Sequence, residues 1–445
     1  MRIGSRPHLF TAALLALAAM ALNAPAHALE PYVFDLPQRF PIPKVPDDNP
    51  MTVEGVGLGR VLFYDTRLSG NQTQSCASCH QQAHAFTDGL PVAVGSTGQF
   101  HPRNSMSLTN IAYSTVLAWA NPLLVQLEKQ IPVPMFGETP VELGLAGKEN
   151  ELLERLNRDP RYRRLFAEAF PVADDPISVA SVVRAIASFC RTLISNHSAF
   201  DDYYYRFDDA ALSESALRGN DLFFTERLEC FHCHGGVNFS ASTTFVGKAF
   251  DEVQYDNNGL YNIDGAGAFP PNNRGIMEIT GDSRDMGRFK APTLRNIELT
   301  APYMHDGSMA TLESVLIDQY GHGGRLTTEG PYAGDGSASP LKSQFVRGFT
   351  LSEQEKADVL EFLHALTDET FITDLRLSDP FLATLCRADC DLDEEATPAD
   401  LRTAVETALG TQTLAHCLPA DESADGAITV EELVAAVKDR MGGCS

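Results

Sequence analysis

Cys76-Ala77-Ser78-Cys79-His80 and Cys230-Phe231-His232-Cys233-His234 are two copies of one pentapeptide, Cys-x-x-Cys-His, set 154 residues apart. The pattern is that of covalent c-type haem attachment. One tight turn offers two thiols to the vinyl groups of a porphyrin, and the adjoining histidine rises beneath the iron as proximal ligand. The competing readings are a zinc site and a redox dithiol. Zinc usually spreads four ligands over two separated pairs, and a thioredoxin-type dithiol sits in a βαβ pattern. Neither context surrounds these motifs. The expected cofactors are two haems, one on Cys76, Cys79 and His80, the other on Cys230, Cys233 and His234.

The first 28 residues fit an export signal. Arg2 and Arg6 form a basic start, Phe10 to Leu22 is mostly apolar, and Ala26-His27-Ala28 is an A-x-A cleavage site. That run is too short for a membrane span, and no later stretch reaches the ~20 apolar residues a span needs. The expected mature chain starts near Leu29 and is periplasmic or secreted, in keeping with haem attachment outside the cytoplasm. The full chain has 445 residues and a net charge of −25, which disfavours nucleic acid and anionic lipid and suits a basic partner or cations. Residues 386–445 alone hold 13 acidic and 4 basic side chains.

Of the 9 cysteines, four belong to the haem motifs. Cys386, Cys390, Cys417 and Cys444 fall in the acidic tail, where an oxidising compartment would pair them into two disulfides of open connectivity. Cys190 lies on an apolar helical stripe with Val182, Val183, Ile186 and Phe189 and reads as a small buried residue. Periodicity predicts helices at Glu149–Asn157, Arg161–Phe170, Ile177–Ser195, Glu214–Phe224, Leu312–Tyr320 and Glu353–Leu366, the last opening with the capping box Ser352-x-x-Glu355. Each haem motif follows a short candidate helix, Val56–Tyr64 or Leu217–Phe224. Phe239–Ile297, rich in Gly, Asn, Asp and Pro, reads as a long and therefore functional excursion. The expected fold is all-α: two cytochrome-c-like haem domains with long loops, 29–205 and 206–384, and a small disulfide-stapled tail from 385.

Further stretches carry a family resemblance. These are Leu58-Gly59-Arg60-Val61-Leu62-Phe63-Tyr64-Asp65, Arg103-Asn104-Ser105-Met106-Ser107-Leu108 and Pro140-Val141-Glu142-Leu143-Gly144 in the first half. In the second they are Phe289-Lys290-Ala291-Pro292-Thr293-Leu294-Arg295-Asn296 and Thr300-Ala301-Pro302-Tyr303-Met304-His305-Asp306-Gly307. Together and in this order they resemble the bacterial dihaem cytochrome c peroxidase and MauG superfamily over nearly all of residues 30–370. Pro134-Met135-Phe136-Gly137 and Tyr320-Gly321-His322-Gly323-Gly324 place the chain on the MauG- and MbnH-type side.

The resemblance implies roles. The first haem is the peroxide-reacting centre, with Glu142 as acid–base carboxylate and Gln130 and Pro134 near the same pocket. Such a carboxylate moves a proton from the near to the far oxygen as the O–O bond breaks. The second haem stores or relays an oxidising equivalent. Its distal ligand is methionine in peroxidases of the family and tyrosine in MauG-type members. Tyr320 is the expected equivalent, although it lies one residue beyond the family spacing from His305, where Gln319 falls; Met309, Met304 and His322 are the alternatives. Trp119, the only tryptophan, matches the inter-haem tryptophan. Asn104, Thr300 and Pro302 match the inter-haem calcium ligands, oxygen donors of the kind calcium prefers.

The tail departs from the family core. Asp421-Glu422-Ser423-Ala424-Asp425-Gly426-Ala427-Ile428-Thr429-Val430-Glu431-Glu432 fits an EF-hand loop, with Asp421, Ser423 and Asp425 at positions 1, 3 and 5 and Glu432 closing it. An upstream copy, Asp389, Asp391, Asp393 and Asp400, has Glu394 where glycine belongs. The expectation is an exported dihaem oxidoreductase that uses hydrogen peroxide to reach a high-valent haem state. That state oxidises a partner protein, with tryptophan oxidation in the MbnH case. Alternatively it draws electrons from a small redox protein as a conventional peroxidase. A dihaem electron carrier is the reading from another class.

Overall fold

The computed structural model describes residues 28–381 and 386–442; the expected leader, apart from Ala28, and Cys444 lie outside them. Among the described residues eight α-helices reach ten residues. They are α1 (Val53–Tyr64), α2 (Glu149–Arg158), α3 (Pro160–Ala169), α4 (Val179–Arg191), α5 (Glu214–Phe223), α6 (Glu353–His364), α7 (Pro398–Ala408) and α8 (Val430–Gly442). Among the described residues only two two-stranded sheets accompany them, Asp256–Asn257 with Arg288–Phe289 and Leu326–Thr327 with Gly334–Asp335. No described helix is long and apolar enough to cross a membrane. Polar side chains cap the helices: Ser178 Oγ accepts from Ser181 N ahead of α4, and Ser352 and Glu355 form the expected capping box of α6.

The two halves repeat one device. In each, the helix preceding the haem motif crosses the last long helix of that half at a glycine. A Cβ on Gly59 of α1 would stand 1.9 Å from the Ala185 carbonyl oxygen of α4, and one on Gly219 of α5 would stand 1.9 Å from the Asp358 carbonyl oxygen of α6. Only a hydrogen side chain lets the backbones come this close. The first core gathers Leu58, Leu62, Phe63, Phe166 and Phe189, and the second Phe223, Phe239, Phe289 and Phe362.

A buried ion pair joins the halves. Arg295, wholly buried beyond the second haem motif, donates from Nη1 and Nη2 to Asp201, each at 2.8 Å. It also lies over the rings of Phe40 and Phe239. Such a pair is costly to half-remove, because the remaining charge is left buried.

The chain then returns to the first half. Phe371 and Leu377 join the first core, and Arg60 of α1 donates from Nε to Ser378 O at 2.7 Å. The tail follows the same surface. Cys390, Leu414, Cys417, Leu418 and Ile428 belong to the first core. On α3, Arg164 donates to Gly426 O, Glu168 accepts from Leu414 N, and Arg161 Nε lies 3.5 Å from Asp421 Oδ2. The tail is thus packed onto the first haem half and shares its core. One disulfide joins Cys390 to Cys417, and Cys386 is disulfide-bonded as well.

Candidate di-haem site

The first motif opens in a 3₁₀ turn at Cys76–Ser78, and the second forms the short helix Phe231–His234. In both, the histidine amide donates to the carbonyl of the motif's first cysteine, at 3.0 Å for His80 and 2.9 Å for His234. In both, the imidazole Nδ1 donates onward to a phenylalanine carbonyl, Phe86 at 2.9 Å and Phe239 at 3.0 Å. Those two residues have φ of +60° and +45°, left-handed values unusual for a bulky side chain and typical of functional sites. Fixing Nδ1 as the donor orients the ring and leaves Nε2 for iron.

The cysteines test the rival readings. All four are free, and burial pushes the thiols of Cys76, Cys79 and Cys230 up to about 12 and that of Cys233 upward too. A redox dithiol has a depressed thiol instead. Among the described residues, none of the four joins a cluster of three potential metal-ligand atoms. A fixed imidazole beside each pair, and for Cys230 and Cys233 a cavity that they line, fit covalent haem.

Around the second motif lies a largely apolar cavity walled by Trp119, Cys230, Cys233, His234, Lys290 and Tyr320. The excursion of 239–297 supplies much of the wall, which explains its length. Tyr320 sits in a π-helix, Val315–Gly321, that continues the short helix Leu312–Ser314. A π-turn absorbs one extra residue and recurs at functional sites. It gives a structural reason for the one-residue excess between His305 and Tyr320. Gln319 is buried and donates instead to Asn258 O at 2.6 Å. Burial pushes the pKa of the Tyr320 phenol well up. Of the alternative ligands, Met304 shares the cavity, its sulfur 3.5 Å from Asn258 Nδ2. Met309 and His322 are not part of the wall, and the His322 ring engages Gly324 O.

On the first side, the hairpin at 94–100 and the segment 138–145 hold Glu142 in place. Ser96 N donates to Glu142 O, and Leu143 N donates to Pro134 O. This puts the carboxylate beside the turn Pro132–Phe136. Glu142 lies close enough to Cys76 and Cys79 to raise their pKa values, and its own carboxyl is raised by burial. Gln130 has a buried Oε1 that has no partner among the described residues. A residue the sequence reading overlooked, His101, places Nε2 4.0 Å from Glu142 Oε1.

Trp119 bridges the two sides: its Nε1 donates to Asn104 O at 2.8 Å while its ring lines the second cavity. Asn104 is buried, donates from Nδ2 to Leu90 O, and receives no donor at Oδ1 among the described residues. Its amide donates to His305 O, which sets it against the loop carrying Thr300 and Pro302. In the tail, the two loops share one backbone cage. Asp421 accepts from Asp425 N and Gly426 N while Glu432 accepts from Thr429 N; Asp389 accepts from Asp393 N and Glu394 N while Asp400 accepts from Thr397 N. Glu394 adopts φ +71° where Gly426 has +83°. Three carboxylates converge at Asp389, Asp391 and Asp393. Ser423 N donates to Glu432, whereas Asp421 faces Arg161.

Comparison with known proteins gives the same site a family. The di-haem cytochrome c peroxidase profile matches residues 53–210. The chain is 33% identical to cytochrome-c peroxidase IdrP1 of Pseudomonas sp. (strain SCT) over 372 residues, 79% of this chain and 89% of that one. It is also 33% identical to methylamine utilization protein MauG of Methylorubrum extorquens, over 76% of this chain and 84% of that one. Among solved structures, a MauG-like protein associated with microbial copper homeostasis superposes with a TM-score of 0.77 at 50% identity, covering 79% of this chain and 100% of that chain. With two haem-binding turns of one design and relatives of both kinds, the chain belongs to the di-haem cytochrome c peroxidase family and is a peroxidase-type oxidoreductase.

Proposed function

We propose that this enzyme is exported and uses hydrogen peroxide to oxidise an aromatic side chain, tryptophan foremost, of a partner protein. The observation that carries the reading is Tyr320, placed by a π-turn in the cavity of the second histidine. A phenolate is a hard ligand that favours oxidised iron, which suits storage of an oxidising equivalent. The 50% identity to a MauG-like protein supports the same outlet. The haems, when bound, supply the oxidising chemistry. The residues do the rest: Glu142 accepts a proton from the near peroxide oxygen and returns it to the far one, Gln130 and Pro134 shape that pocket, and Trp119 conducts between the halves. Calcium at Asn104, Thr300 and Pro302 would rigidify the join, and the tail loop of Asp421, Ser423, Asp425 and Glu432 would hold a further ion.

Met304 in the same cavity favours a second reading, a conventional peroxidase fed by a small redox protein. Peroxide added with a reduced small cytochrome, or with a candidate exported protein substrate, separates the two. We expect a mass increase on an aromatic residue of the exported protein and slow cytochrome oxidation. Fast cytochrome oxidation with no mass change would overturn the first reading.

A further inference from the structure

Lys290 is 3% exposed. An ammonium ion so buried is expensive unless an anion accompanies it. Arg295, five residues on, has Asp201. Lys290 has no such partner: among the described residues no carboxylate comes within ion-pair distance, and its only side-chain hydrogen bond is a long one, 3.5 Å, to Ser114 Oγ. Burial alone moves its pKa, down to about 8, with no neighbouring charge to offset it. The acidic groups of the same cavity are engaged elsewhere. Asp256 accepts from Gln254 Nε2 at 2.6 Å, and Glu229 faces His232 and Arg347.

The cation lines the cavity that holds Cys230, Cys233 and His234. Once its vinyl groups have become thioethers, a c-type haem has only its two propionates as ionised peripheral groups. We infer that Lys290 is the counter-ion of a propionate of the second haem, and that it positions this carboxylate against Trp119. Lys290 N donates to Trp119 O at 2.9 Å, a backbone bond that sets the two residues side by side, and both line the cavity. The charge has an electrostatic consequence. A fixed positive charge near the ring disfavours the more positive, oxidised iron, and its removal stabilises that state. The same pair would fix the haem edge that faces the first half of the protein. This role rests on the reading of the second motif as a haem site, and haem occupancy is measured separately.

The test uses the full-length holoprotein. Intact mass and absorption first confirm two covalent haems in the parent and in Lys290→Gln and Lys290→Arg. We expect the midpoint potential of the second haem to fall in Lys290→Gln and to stay near the parent value in Lys290→Arg, which keeps the charge, with the first haem moving less. Equal potentials in the parent and Lys290→Gln, both carrying two haems, would overturn the assignment. Should Lys290→Gln fail to mature, the resonance Raman propionate-bending mode of the parent and Lys290→Arg decides. A mode at the frequency of an ion-paired carboxylate upholds the pair, and one at the frequency of a solvated carboxylate removes it. A parent holding only one haem would instead refute the underlying haem reading.

Discussion

Burial raises the carboxyl of Glu142, and under the proposed role that shift should set where the enzyme's pH profile bends. A general base must be ionised to take the peroxide proton, so activity falls as pH drops through the pKa of Glu142. The acid limb should therefore lie above the ~4.3 of an unperturbed glutamate. Glu142→Gln should slow the reaction of the first haem with peroxide by about 10²–10⁴, the usual worth of a positioned acid–base group, and should flatten that limb. Stopped-flow absorption across pH checks both; a variant as fast as the parent removes Glu142 from the chemistry. Tyr320→Met should raise the midpoint potential of the second haem, because a thioether stabilises oxidised iron less than a phenolate does. An unchanged potential and spectrum would hand the ligand position to Met304 or another group. At this scale the sequence was legible wherever residue type and chemistry coincide. The two pentapeptides declared their cofactor. The carbonyls of Phe86 and Phe239 that orient the histidines were not legible, because any residue offers a carbonyl and only backbone conformation selects these two. Lys290 read as one letter of a motif, since its missing partner is a fact of three-dimensional surroundings.

The crossing helices carry the architecture between these residues. Gly219→Ala would drive a Cβ into the Asp358 carbonyl of α6 and force α5 and α6 apart. Overpacking of this kind costs about 1–3 kcal/mol, so thermal unfolding should shift down and haem loading at Cys230 and Cys233 should fall. A variant as stable as the parent would mean that the helices can slide apart without loss. Helix positions were readable from periodicity, and α2, α3, α5 and α6 lie close to their expected spans. The segment Leu312–Tyr320 was expected as one regular helix, and it changes to π-winding at Val315. Periodicity at 3.6 residues cannot report that change, because the preference for one extra residue per turn comes from packing against Asn258 and the cavity. The α4 helix ends at Arg191, short of the expected Ser195. There Ser195 N donates to Asn110 Oδ1 and Asn196 N to Asp368 Oδ2, and tertiary partners replace helical ones.

Across the whole molecule the tail is where local pattern says least. Its acidity, cysteines and loop spacing pointed to a calcium-binding extension, yet its docking partners on α3 lie about 250 residues earlier. Arg161, Arg164 and Glu168 form no motif. The structure makes removal of residues 386–445 a core mutation: Leu414, Leu418 and Ile428 would leave the first core. Each such side chain is worth about 1.5–3 kcal/mol when fully buried, so the truncated chain should melt lower and load the first haem poorly. Unchanged melting would contradict a shared core. Calorimetry of calcium binding to the full chain tests the loops, and no uptake at millimolar calcium would remove the ion from the account. The central claim is that both haems, with Tyr320 at the second, share the two oxidising equivalents of one peroxide. The direct measurement adds one equivalent of hydrogen peroxide to the diferric protein and follows electron paramagnetic resonance of both irons. The account predicts that both ferric signals are lost together; persistence of the second haem's ferric signal while the first reacts would contradict it.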